Sequence, residues 1–302
     1  MADPSTWTYR LLEKTADGLA NKTGRHEYQE ILPNAGSVEA PVSTPLFFEP
    51  RGGPFAVHLV EATTAEGAVV AERPAYFVVA YPIGITDIRT VVLFAHPAPT
   101  AGYDDADYAG QGGGWNAILR YGRYFGCQIT AARKNLIFVM PVFSRATFGT
   151  LGVFPSKWEV LLTGVLTRVQ SEIWPDRDGK PTPRYSQVAD RLILACYSLG
   201  RQVARSMLAA GGLQSRVVEV WDLDGVGSSP IQLAGKPSYY CNQASSGFGF
   251  HVPLSRWTNF PNYAGLVKKE KEMAAHGDRA GAIHGEIVLR LAYHAAVRSS
   301  FG

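Results

Sequence analysis

The chain has 302 residues, 46% of them hydrophobic and 18% charged, with a formal net charge of +3. This is globular composition with enough apolar residues for a sizeable core, and it excludes a disordered chain. No basic run is longer than Lys268-Lys269 and no apolar run reaches membrane-spanning length, so no nucleic-acid partner and no membrane span are expected.

Residues 1–50 are polar and irregular, and read as an arm or an edge hairpin. Residues 55–62 and 75–82 are β-rich runs with Gly and Pro around them, expected to form early, antiparallel strands. Residues 89–95, RTVVLFA, form a short continuous apolar run, the pattern of a strand covered on both faces. A glycine-rich loop at 110–114 leads to a helical stretch at 115–126, and NLIFVM at 135–140 is a second buried strand. Residues 158–173 have helical spacing, with Pro155 and Ser156 at the start. RLILACY at 191–197 is the next buried strand, followed by a helix at 201–210 that Gly211-Gly212 ends. RVVEVWDL at 216–223 is one more strand. The segment 225–262 is loop-rich and aromatic, suited to a lid or pocket wall. Helices are expected at 263–275 and 286–298.

This alternation predicts an α/β fold: a mostly parallel central sheet with helices on both faces, built from right-handed βαβ units. No linker splits the chain, so residues 1–302 are expected to form one domain. Cys127, Cys196 and Cys241 are an odd, sparse set with neither a disulfide framework nor metal-ligand spacing. The start Met1-Ala2-Asp3-Pro4-Ser5 lacks the basic and apolar regions of a secretory leader, and a cytoplasmic location is expected.

In open α/β sheets ligands bind at the carboxyl ends of the strands, so the residues just after each buried run matter most. After RLILA comes Cys196-Tyr197-Ser198-Leu199-Gly200, and then a helix. This resembles the nucleophile elbow of the α/β-hydrolases, usually G-x-S-x-G, with Cys196 in place of the first glycine. The turn is so tight that its serine takes a strained backbone and residues two away on either side must be small. The plain alternative is a serine that only caps the helix. Cys196 itself reads as a buried small hydrophobe rather than a reactive thiol.

The resemblance implies a serine esterase-like hydrolase with Ser198 as nucleophile. By the same resemblance the loop His96-Pro97-Ala98-Pro99 looks like the family's oxyanion loop. Proline has no N–H, so Ala98 and Leu199 would supply the two backbone donors. His96 there reads as a structural residue. The family's triad runs in the order Ser, Asp or Glu, His. No aspartate lies between Gly225 and Gly277, and Glu270 and Glu272 sit on a solvated amphipathic stretch. The acid is therefore expected in Trp221-Asp222-Leu223-Asp224-Gly225, with Asp224 preferred at the strand end and Asp222 as the alternative. His284, in a loop before the last helix, is where the family places its base; His251, His276 and His294 are the other downstream histidines.

Tyr103, Trp115, Phe248, Phe250 and Trp257 are candidates to line a pocket for an apolar or aromatic group. The acidic run Tyr103 to Tyr108 lacks EF-hand spacing, and no P-loop, dinucleotide or zinc motif is present, so no cofactor and no metal are implied. The expected partner is a small-molecule ester. Acyl transfer or cyclisation by the same triad, and a non-catalytic ligand-binding scaffold, are the competing expectations. The oligomeric state is left open.

Overall fold

The computed structural model describes residues 3–12, 23–26, 53–97, 114–143, 151–174, 189–209, 212–223, 225, 229–241, 292–293 and 295–302. Among the described residues nine strands form one mixed sheet: β1 (Thr8–Leu12), β2 (Gly24–His26), β3 (Phe55–Thr63), β4 (Tyr76–Pro82), β5 (Thr90–Ala95), β6 (Ile137–Val142), β7 (Arg191–Tyr197), β8 (Val217–Leu223) and β9 (Ser238–Cys241). The order across the sheet is β1-β3-β4-β6-β5-β7-β8-β9, with β2 also on β3. From β6 to β9 every pairing is parallel; β3 and β4 continue the sheet antiparallel. The helices are α1 (Gly114–Ala131), α2 (Phe154–Ile173), α3 (Gly200–Ala209) and the short α4 (Leu213–Arg216). This is the α/β class that the alternating pattern predicts.

The central parallel strands β5 and β6 are buried because they are covered twice. All six residues of β5 and all six of β6 are buried. Side chains alternate across a strand, so register separates the two faces. Phe94 of β5 packs on Phe125 of α1 at 4.7 Å between ring centres, and Tyr197 of β7 approaches Tyr121 of α1 at 6.3 Å. Cys196, one residue back from Tyr197, therefore points to the opposite face, where α3 lies. Tyr9 is opposite Ala62 in the register, on the face away from Phe55 and Val57, and it is there that α2 meets β1.

Some elements depart from expectation. The first fifty residues supply two strands, β1 and β2, that do not pair as a hairpin. Both lie along the outer edge of β3, on Leu59–Thr63 and on Phe55–Val57. A nine-residue strand has room for two short partners end to end, and pairing satisfies an edge that would otherwise be exposed. Within 225–262, the residues Ser238–Cys241 form β9, parallel to β8, rather than loop. SYYC is too short to announce itself as a strand; the free edge of β8 provides its partner. Helix α1 runs on to Ala131, past Gly126. Of the two C-terminal helices expected, residues 263–275 lie outside the described residues, and 292–293 and 295–298 are helical. No described helix is long and apolar enough to cross a membrane.

Candidate active site

The turn between β7 and α3 consists of Ser198 and Leu199. Strand β7 ends because the chain must reverse over the sheet edge, and α3 begins at Gly200. Ser198 sits at φ 56°, in the left-handed region. For a non-glycine residue this costs about 1–2 kcal/mol. A capping serine ordinarily occupies the β region instead, so this backbone sets Ser198 apart from a simple helix cap. The side chain belongs to a residue only 7% exposed.

Gly200 explains how the turn can be so tight. A Cβ built there would lie 2.1 Å from the carbonyl oxygen of Ala95 and 2.8 Å from that of His96. The first turn of α3 thus rests directly on the end of β5, and no larger residue fits. The Arg201 N–H reaches Ser198 O at 3.2 Å and the Gln202 N–H reaches Leu199 O at 3.0 Å. The N–H groups of Leu199 and Gly200 precede these bonds and are the donors that a helix N-terminus leaves for other acceptors, at its positive end.

Register brings three strand ends to one level. Ala95 of β5 is opposite Cys196 of β7, and Tyr197 of β7 is opposite Leu223 of β8. Strands β5, β7 and β8 therefore end within a residue of one level, at Ala95, Tyr197 and Leu223, on the carboxyl edge. Ala98, Asp224 and His284 themselves lie outside the described residues, as do Tyr103, Phe248, Phe250, Trp257 and the other downstream histidines. Trp115 lies in α1, and Leu199 is half-buried in the turn.

His96 is 1% exposed, and both ring nitrogens are engaged. Its Nε2 accepts the Phe143 N–H at 2.9 Å, so Nδ1 carries the proton and donates to Pro97 O at 2.7 Å. Burial holds its pKa down at about 4, against a weaker opposing effect from the bond to Pro97. The imidazole is neutral and spent on tying the ends of β5 and β6 together.

Asp222 is likewise committed. It is fully buried, and the Arg201 guanidinium meets it in a two-pronged pair: Nε to Oδ2 at 2.7 Å and Nη2 to Oδ1 at 3.0 Å. The Gly225 N–H adds 3.1 Å to Oδ1 and the Ile231 N–H adds 3.0 Å to Oδ2. Four donors on two oxygens leave this carboxylate little capacity to orient a histidine. The Cys196 thiol is fully buried and its pKa is pushed well above the ordinary range, by burial first and by the Asp222 charge second. It is chemically quiet, since the thiolate is the reactive form.

The Arg201–Asp222 pair is what the pattern reading missed. The signal was present: Asp222 interrupts a strand whose surroundings are apolar on both faces, and a carboxylate there requires a buried cation. Arg201, directly after Gly200, was the basic residue nearest the same edge. Among the described residues no group of His, Cys, Asp and Glu is arranged to hold a metal ion.

No protein-family profile and no curated protein matches the chain. Among solved structures it is similar to a Legionella pneumophila protein described as a hydrolase, at 17% identity and a TM-score of 0.36, over 74% of this chain and 52% of that one. It is also similar to the rice cell wall degrading esterase LipA of Xanthomonas oryzae, at 11% identity and a TM-score of 0.39, over 74% and 51%. A third is the esterase Est22, at 15% identity and a TM-score of 0.31, over 69% and 58%. The chain thus spans about half the length of these neighbours.

Proposed function

We propose that this chain is a serine hydrolase that cleaves a carboxylic ester through an acyl-Ser198 intermediate. The observation that carries the reading is the strained Ser198, φ 56°, at the carboxyl end of a buried parallel strand and the head of a helix pressed onto the neighbouring strand. Strain of this kind persists only where the surroundings over-determine it, and it concentrates at functional sites.

In this reading Ser198 Oγ attacks the ester carbonyl carbon while His284 takes the hydroxyl proton. The carbonyl oxygen becomes an oxyanion, held by the N–H groups of Leu199 and Ala98. Collapse breaks the carbon–oxygen bond to the alcohol, which leaves with the proton from His284. Water, deprotonated by His284, then attacks the acyl carbon; the acyl–oxygen bond breaks, the acid leaves, and Ser198 Oγ takes the proton back from His284. Asp224 holds the imidazole in the correct tautomer and supports the imidazolium. Asp224 is preferred over Asp222 because the oxygens of Asp222 already accept four hydrogen bonds. A missing oxyanion donor would cost about 3 kcal/mol of transition-state stabilisation.

The test is labelling with a fluorophosphonate, the adduct being located by peptide mass spectrometry, with Ser198→Ala and His284→Ala alongside. The expected result is an adduct on Ser198 that disappears in Ser198→Ala and falls sharply in His284→Ala. A folded wild-type protein that several probe sizes leave unlabelled would overturn the reading.

A further inference from the structure

We propose that the buried Arg201–Asp222 pair is the positioning device of this site, holding the Ser198 turn and the chain on either side of Asp224 at one fixed spacing. The inference rests on the reading of Ser198 as nucleophile. Arg201 is three residues past Ser198, and its own N–H bonds to Ser198 O. Its guanidinium crosses from α3 to the end of β8, where Asp222 is two residues before Asp224. Asp222 then turns back on the chain just beyond, taking the Gly225 N–H at 3.1 Å. Leu223 before residue 224 is held by register against Tyr197, and Gly225 after it is held by Asp222. The positions flanking Asp224 are thus tied to the residues on either side of the Ser198 turn, Tyr197 before it and Arg201 after it.

Two further facts argue for geometry rather than mere cohesion. A Cβ at Gly225 would come within 2.2 Å of Arg201 Nε and 2.6 Å of Asp222 Oδ1, so the loop is drawn in as close as the backbone permits. Side chains 1% and 0% exposed could have been apolar; replacing such a buried pair by well-packed hydrophobic residues is often neutral or stabilising. What apolar residues cannot supply is the direction imposed by a planar fork on a carboxylate.

The experiment compares wild type, Arg201→Lys and the double variant Arg201→Met/Asp222→Leu for thermal stability, for the rate of fluorophosphonate labelling at Ser198, and for kcat, KM and the pH profile on a short-chain p-nitrophenyl ester. Lysine keeps the charge and loses the fork; the double variant removes both charges, and with them the acceptor of the Gly225 and Ile231 N–H groups. The expected result is a fall in labelling rate and kcat on the order of 100-fold, as for an ångström-scale misplacement of reacting groups, with KM changed less than about twofold. The acid limb of the profile moves to lower pH, because an imidazolium without a well-placed Asp224 loses its proton more readily. The double variant shows these losses even if its melting temperature equals that of wild type. Folded variants with lower melting temperatures but wild-type kcat and pH profile would overturn the positioning role and leave the hydrolase reading standing. Wild-type protein left unmodified at Ser198 would overturn both.

Discussion

Ser198 and His96 show how much one residue's surroundings decide. The φ of 56° at Ser198 is a cost that glycine would not bear and alanine would bear equally. Ser198→Gly should therefore be more stable than Ser198→Ala, by up to about 1 kcal/mol in urea unfolding, although neither is labelled by the probe. Equal stabilities would mean that the turn is not strained. His96 makes a statement about pH. Its pKa is lowered from 6.5 to about 4 when folded, so the unfolded chain binds a proton that the folded chain refuses. The associated stability is complete above pH 6.5 and is lost as pH falls toward 4, by about 3 kcal/mol in all. Unfolding free energies measured from pH 7 to pH 4 should show a shallower decline in His96→Gln than in wild type. Parallel curves would mean that the imidazole is protonated in the fold.

At the scale of an element, the critical contact is the first turn of α3 on the end of β5. Gly200→Ala would place a methyl group 2.1 Å from the Ala95 carbonyl, which belongs to backbone inside the sheet and cannot yield cheaply. The helix must retreat instead, and overpacking of this kind costs about 3 kcal/mol. The expected outcome is a loss of that size in chemical denaturation, together with slower labelling of Ser198, whose carbonyl is bonded to the moving turn. Wild-type stability in this variant would show that the turn is looser than the close approach implies. The helix and strand placements were legible because β5, β6 and β7 are continuous apolar runs and α2 repeats its apolar residues at helical spacing. Strand β9 was not legible: four residues with two tyrosines carry no period, and pairing with β8 alone makes them a strand.

Across the whole molecule the chain's end is tied back to its sheet. Glu219 of β8 is fully buried and accepts the Trp221 indole N–H and, at 3.1 Å, the Ser299 hydroxyl. Ser299 also accepts the Phe301 N–H at 3.1 Å, and its carbonyl takes the Lys134 ammonium at 2.9 Å, just past α1. Burial raises the Glu219 pKa against the bonds that lower it. Ser299→Ala takes one donor from a buried carboxylate and leaves the Phe301 N–H without that partner, at an expected cost of about 2 kcal/mol in urea unfolding. A change under about 0.5 kcal/mol, the range of ordinary surface substitutions, would show that the C-terminal tie is dispensable.

By itself the sequence determined the α/β class, the strand cores, and the strand–serine–helix order at Ser198, because these depend on local periodicity and on turn residues such as Gly200. Tertiary structure alone decided three things. It supplied what holds Ser198 in the strained backbone that a tight elbow implies: α3 resting on Ala95, far earlier in the chain. It aligned the ends of β5, β7 and β8, since register is a property of pairs and not of single strands. And it engaged Asp222, which the sequence offers as the alternative to the preferred Asp224: only the fold supplies the Arg201 guanidinium that occupies its oxygens. A buried carboxylate must have a partner, and that partner can come from any element that packs close enough.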